Sequence, residues 1–215
     1  MADKSFLEKT KKAINRIHHI SAIVGDAQEN LNFYRDVMGL RLIKQTVNFD
    51  DSSVYHLYFA NQKVANGTVM TFFPWGNAYA GKKGSGQVGR IAFAIPKGSM
   101  AEWQAYLTQE TIATTKTLRF GKETLEFHDR HQLDLALVEV EEERESKDII
   151  GFFGAELFSS QPLQTGILLS KEMGMKQLQD TETHYVFETA GVEAHRISYM
   201  VPEGMSEVCF LWQRI

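Results

Sequence analysis

Two adjacent imidazoles, His18 and His19, followed closely by the hydroxyl of Ser21, open the first strongly apolar stretch of the chain, Ile17-His18-His19-Ile20-Ser21-Ala22-Ile23-Val24. A neutral imidazole offers a metal ion the lone pair of one ring nitrogen, while the other nitrogen can be oriented by a neighbour. Read as a strand, the stretch puts His19, Ser21 and Ile23 on one face and His18, Ile20, Ala22 and Val24 on the other, because successive strand side chains point to opposite sides. The second face is apolar beyond His18 and suits packing on a helix. The first is then free to present an imidazole and a hydroxyl to a cavity. On pattern alone the plainer reading, two hydrogen-bonded histidines near a strand end, is favoured over a metal ligand.

The other histidines offer less. His128 and His131 flank Asp129 and Arg130 at a spacing that suits a solvent-exposed turn better than a metal pair, and His184 and His195 stand alone at strand starts. His56 alternates with Tyr58 and reads as a polar residue on the cavity side of a sheet. No glycine-rich phosphate loop or serine nucleophile elbow stands in the required strand-to-helix context, so phosphate chemistry has no support.

The elements that position these residues follow one order, repeated. After the first strand come Gly25 and Asp26, a plausible N-cap, then a helix over Ala27 to Met38 closed by Gly39. Strands are expected over Leu40 to Phe49, Val54 to Ala60 and Gly67 to Phe73, the last stopped by Pro74, and the glycine-rich stretch from Gly76 to Gly89 reads as a linker. The order then begins again with a strand at Arg90 to Pro96, a helix at Ser99 to Gln109, and strands at Thr115 to Phe120, Thr124 to Phe127 and Leu133 to Val140. An acidic run, Glu139 to Glu145, reads as a solvated connector. A third beginning has a strand at Phe152 to Ser159, a helix at Pro162 to Met173, and strands at Lys176 to Gln179, His184 to Thr189 and His195 to Val201. The chain is thus expected to be α+β, with βαβββ units at 14–76 and 88–145 and a third, incomplete or atypical one at 150–202. Each unit carries a short curved mixed sheet that needs a partner to cover it, and units one and two, or copies across a dimer, are the expected pair.

Composition sets the outer bounds. The 215 residues are 43% hydrophobic and 23% charged, which suits a globular chain with a sizeable core. A net charge of −4 leaves no basic footprint for nucleic acid, and no apolar run approaches the roughly 20 residues that cross a bilayer. The lone Cys209 cannot form an internal disulfide, and Met1 to Lys12 has charges where a signal peptide needs an apolar centre. A cytoplasmic setting is therefore expected.

Repeated βαβββ units with a histidine in the first strand resemble the vicinal oxygen chelate superfamily, the glyoxalase/bleomycin-resistance/dioxygenase fold. More narrowly, His18-His19-Ile20-Ser21, Gln28-Glu29-Asn30, Phe33-Tyr34, Met38-Gly39-Leu40-Arg41-Leu42, Thr46-Val47-Asn48-Phe49-Asp50-Asp51, Tyr55-His56-Leu57-Tyr58-Phe59 and Thr71-Phe72-Phe73-Pro74-Trp75 resemble the bacterial hydroquinone-type ring-cleaving dioxygenases. The likeness is dense from about Ile14 to Trp75 and looser to about Thr189. It implies a site of two histidines and a glutamate around Fe(II) or Mn(II), with open positions for an aromatic diol and dioxygen. His19 matches the first of those ligands, and His18 and Ser21 match positions that orient substrate and ligands. The family's second histidine and its glutamate lie in a fourth unit that this chain is expected to lack. Arg90-Ile91 and Phe152-Phe153 stand where later units would begin with a ligand histidine, and Ala136 stands where many members place a glutamate. The tail from Gly204 to Ile215 matches poorly, as a truncated or frame-shifted gene would produce. The expected activity is dioxygen insertion into a hydroquinone- or catechol-type ring, with a homodimer as a possible assembly. The alternatives are a metal-free small-aromatic binding or sequestering module, or an inactive remnant.

Overall fold

A computed structural model of the chain describes residues 13–76, 81–180, 184–191 and 196–200. The first unit runs β1 (His19–Val24), α1 (Ala27–Asn32), β2 (Arg41–Val47), β3 (Tyr55–Ala60) and β4 (Val69–Pro74). Asp26 ends β1 and caps the helix, its carboxylate accepting the Glu29 amide at 2.7 Å. α1 widens into a π-turn over Phe33–Val37, and Gly39 at φ +65° lets the chain reverse into β2. The second unit has β5 (Gln87–Ile95), α2 (Met100–Gln109), β6 (Thr115–Arg119), β7 (Lys122–His128) and β8 (Asp134–Glu139). The third has β9 (Gly151–Phe158), α3 (Pro162–Ile167) with its own π-turn at Leu168–Glu172, then β10 (Lys176–Asp180), β11 (His184–Glu188) and β12 (Arg196–Met200).

The strands form two mixed sheets. One is four-stranded in the order β1-β4-β3-β2, with β1 parallel to β4. The other is eight-stranded, β10-β11-β12-β9-β5-β8-β7-β6, joined by the antiparallel pair β5 and β9. Here the structure corrects an expectation. Units two and three, not one and two, join their sheets, because the first strands of those two units share an edge. The glycine-rich stretch is also not a linker to its end, since Gln87 to Gly89 already belong to β5.

Units one and two meet through a core instead. Ile20, Val24, Tyr34, Phe59, Met70 and Phe72 of the first belong to one cluster with Ile91, Phe93, Trp103, Leu107 and Phe127 of the second. Tyr34 is fully buried, its ring 4.3 Å from that of Phe72. Burying each such side chain contributes about 1.5–3 kcal/mol. Tyr106 of α2 donates its hydroxyl to the Asp36 carbonyl at 3.0 Å, tying the second helix to the end of the first. No described helix is long and apolar enough to cross a membrane.

Candidate active-site face on the first sheet

β1 begins at His19, one residue later than the first imidazole. Its burial alternates as the sequence predicts at the start: His19 and Ser21 are exposed while Ile20 and Val24 enter the core. His18 departs from the expected alternation, because it precedes the first ladder pair and is not held by the pleat. Its Nδ1 instead lies 2.8 Å from Nδ1 of His19, with the two exposed rings edge to face. One of the two nitrogens must carry the proton. When His19 is the donor, its Nε2 keeps the lone pair that a metal requires. Partial burial, and then the neighbouring His18, lower the pKa of His19 and favour its neutral form.

The sheet register brings further groups onto the face that holds His19 and Ser21. Ser21 pairs with Thr71 of β4, and their hydroxyls are hydrogen-bonded at 2.8 Å. Thr71 pairs with Tyr58 of β3, which sets His56 and Tyr58 on the same face. The Tyr58 hydroxyl lies 2.8 Å from His56 Nδ1, and the His56 ring stacks on Phe73 at 4.0 Å. Lys44 of β2 stands 5.3 Å from the centre of the Tyr58 ring. His56 Nε2 is buried without a hydrogen-bond partner. Burial, then Lys44 and His19, lower the pKa of His56, so it too is held neutral. The face therefore combines two neutral imidazoles, a pair of hydroxyls and an aromatic wall.

Sequence reasoning placed His56 on this side but gave it no part in the chemistry, and it passed over Thr71, Phe73 and Tyr58. The signal available was the alternation of polar and aromatic residues in β3 and β4, which the register aligns with β1. The 128–131 segment departs in part from the expected exposed turn. His128 is exposed, its Nε2 2.8 Å from the Asp134 carboxylate, but Asp129 is only 3% exposed and accepts the Tyr34 hydroxyl at 2.9 Å. Its other oxygen takes the amides of His131 and Leu133, so the turn, exposed at His128 and Arg130 as expected, is anchored to unit one through buried Asp129. The His184 side chain, His195 and the tail from Gly204 lie outside the described residues.

The second unit has no counterpart of the imidazole. Arg90, first in β5 to pair with β8, meets Glu156 at 2.7 Å and Glu126 at 3.1 Å, and Arg119 meets Glu126 at 2.9 Å. Burial raises the Glu126 pKa, but hydrogen bonds from Thr117 and Arg119 and the charges of both arginines outweigh it, and the net shift is downward. Ala136 is buried opposite Ala92 and Glu126. Among the described residues, no three histidine, cysteine, aspartate or glutamate side chains converge to hold a metal ion. Among the described residues, His19 therefore has no two further candidate ligands converging beside it. Two surface clefts, one between residues 61–63 and 144–149 and one beside Glu29 and Arg130, are lined by none of the β1 residues.

Comparison with known proteins places these observations. Residues 16–141 match the model of the Glyoxalase/Bleomycin resistance protein/Dioxygenase superfamily. The chain is 45% identical over 185 residues to MhqO of Bacillus subtilis (strain 168), whose name assigns it provisionally to the ring-cleaving dioxygenases; the match covers 81% of this chain and 59% of MhqO. It is 35% identical over 117 residues to the chlorohydroquinone/hydroquinone 1,2-dioxygenase of Sphingobium indicum, covering 53% of this chain and 36% of that protein. A crystal structure from Bacillus subtilis, provisionally a dioxygenase, superposes with a TM-score of 0.83 at 43% identity, covering 89% of this chain and 65% of the other. Glyoxalase I of Zea mays superposes at 0.65 with 13% identity, which shows likeness of fold alone. The chain therefore spans about three-fifths of MhqO, the relative it matches at 45% identity.

Proposed function

We propose, from the premise that the chain belongs to the Glyoxalase/Bleomycin resistance protein/Dioxygenase superfamily, that its first sheet carries the diol-binding half of a metal-dependent, extradiol-type ring-cleaving dioxygenase. The substrate is a hydroquinone- or catechol-type ring, and the setting is aromatic catabolism in the cytoplasm. The observation that carries this reading is the set His19, Ser21, Thr71, His56 and Phe73 on one sheet face, in a chain whose relatives bear ring-cleaving names.

His19 would hold Fe(II) or Mn(II) through Nε2, and such a metal supplies adjoining positions for a diol oxygen and dioxygen. The described residues alone do not fit that metal, because they lack two further converging ligands, so no reaction step is derived through it. The side chains that are present support binding and orientation. Phe73 and Tyr58 give an aromatic ring a surface to lie against. The paired hydroxyls of Ser21 and Thr71 can exchange hydrogen bonds with a ring hydroxyl, and the unpartnered His56 Nε2 can donate or accept another according to its tautomer. His18 fixes the tautomer of His19 as a positioning residue.

The incomplete ligand set favours a second reading, a metal-free module that binds a small aromatic diol. An oxygen electrode, run with hydroquinone and Fe(II) and repeated after chelation, separates the two. Oxygen uptake that is lost on chelation and in His19→Ala supports the dioxygenase. Hydroquinone binding that survives chelation, with no oxygen uptake at any metal level, supports the binding module.

A further inference from the structure

We infer that Lys44 makes the first sheet selective for an aromatic diol that carries a carboxylate, with the diol at the Ser21–Thr71 hydroxyls and the carboxylate at the Lys44 ammonium. The inference rests on the diol-binding role proposed above and adds to it the charge of the ligand.

One rung of the sheet carries the observation. Ser21 of β1 pairs with Thr71 of β4, Thr71 with Tyr58 of β3, and Tyr58 with Lys44 of β2. Directly paired residues project from the same face of a sheet, so this rung presents, in order across all four strands, two hydroxyls, a phenol ring and an ammonium. The hydroxyls are hydrogen-bonded at 2.8 Å, and His19 stands two residues before Ser21 on the same face. Lys44 Nζ lies 5.3 Å from the centre of the Tyr58 ring. The side chain thus leans inward over the rung instead of out past the β2 edge, a posture that the negative face of an aromatic ring favours.

The charge at this end of the rung is free to act on a ligand. Among the described residues Lys44 forms no ion pair, and the four strands of its sheet contain no aspartate or glutamate. The strand cations Arg90, Lys116 and Arg119 of the other sheet, by contrast, each meet a carboxylate. After burial, the charge of Lys44 is the largest influence lowering the pKa of His56, which stands on the same face, so its field reaches inward. A ligand carboxylate would supply the counter-ion and a charge-assisted hydrogen bond together.

Strand spacing limits the size of that ligand. Neighbouring strands lie about 4.7–4.9 Å apart, which puts the hydroxyl pair and the ammonium roughly 10–14 Å apart across the sheet. Hydrogen bonds at the two ends take up about 6 Å of this. The remainder accommodates one ring with its diol on one side and its carboxylate on the other, lying against Tyr58. Hydroquinone fills the same place but leaves the ammonium without a counter-ion.

Anaerobic titration calorimetry of the whole chain with 3,4-dihydroxybenzoate, its neutral methyl ester and hydroquinone tests the inference. At low ionic strength the acid should bind about fivefold or more tightly than the ester, and added salt should shrink that margin. Lys44→Met should bring the acid to the level of the ester, whereas Lys63→Met, at the exposed turn between β3 and β4, should keep the wild-type margin. The comparison of acid with ester on wild type needs no variant to fold. Equal binding of the two by wild type, a margin that survives in Lys44→Met, or no binding of the acid would overturn the inference and leave Lys44 as a guard of the β2 edge. If hydroquinone binds while the acid has no advantage, the inference fails and the diol-binding face stands. If none of the three binds, the face fails with it.

Discussion

Replacing Tyr34 by phenylalanine removes one hydroxyl from a site where nothing else can take its place. Tyr34 is 0% exposed and Asp129 3% exposed, and their hydrogen bond of 2.9 Å spans the boundary between units one and two. Burial, then the charge of Asp129 and the hydrogen bond to it, raise the tyrosine pKa well above 10, so Tyr34 stays a donor across the working range. Burial also raises the Asp129 pKa, although its hydrogen bonds work against the shift. A group whose folded pKa is raised binds its proton more tightly when folded. The ionisation penalty is therefore absent below the unfolded value near 3.8 and complete above the folded value. Tyr34→Phe takes a donor away from the ionised carboxylate, so its cost should be largest once Asp129 is charged. Hydrogen bonds to charged groups are worth about 1.5–3 kcal/mol, so a loss of about 2 kcal/mol is expected at pH 7. That corresponds to a fall of about 4–8 °C in Tm for a chain of this size. Urea titrations at pH 7 and near pH 4 measure it. The loss should shrink at the lower pH. An equal loss at both, or none at pH 7, would refute the reasoning.

Three further outcomes are expected. Gly89→Ala should lower stability by about 1–3 kcal/mol in thermal melts, because its Cβ would lie 2.5–2.8 Å from the Phe158 ring atoms, inside contact distance. Arg90→Met should cost about 3 kcal/mol or more in denaturant titrations by leaving buried Glu156 without its nearest cation and Glu126 without one of its two. Glu126 has a depressed folded pKa, so its contribution is present above its unfolded value and lost as pH falls through the folded one, and the Arg90→Met deficit should narrow in acid. His56→Ala should weaken hydroquinone binding, read by calorimetry on the whole chain, by about tenfold while leaving Tm nearly unchanged, since it removes an unpartnered ring nitrogen and the ring stacked on Phe73.

Much of the architecture could be read from local signals. Asp26 and Gly39 mark the ends of the first helical segment because capping and reversal are local requirements, and alternation in Ile20, Ser21 and Val24 identifies β1 for the same reason. The partnership of the sheets was not legible, because strand pairing between units depends on which edges meet, and β5 meets β9 through contacts far apart in the chain. The site was legible in part. His19 and Ser21 share a face by alternation, whereas Thr71, His56 and Phe73 join them only through the β1–β4 and β3–β4 registers. Asp129 was misjudged because its polar neighbours, His128, Arg130 and His131, look like an exposed turn, while the group that buries it, Tyr34, lies on the first unit's helical segment.

In the proposed function, His19 is the residue that would hold the metal at the first sheet. Electron paramagnetic resonance of Mn(II) reports free ion directly and can be run on the whole chain with hydroquinone under anaerobic conditions. Wild type should deplete the free Mn(II) signal more than His19→Ala at equal concentration, with His56→Ala and His128→Ala close to wild type. Equal depletion by all four proteins would contradict the assignment.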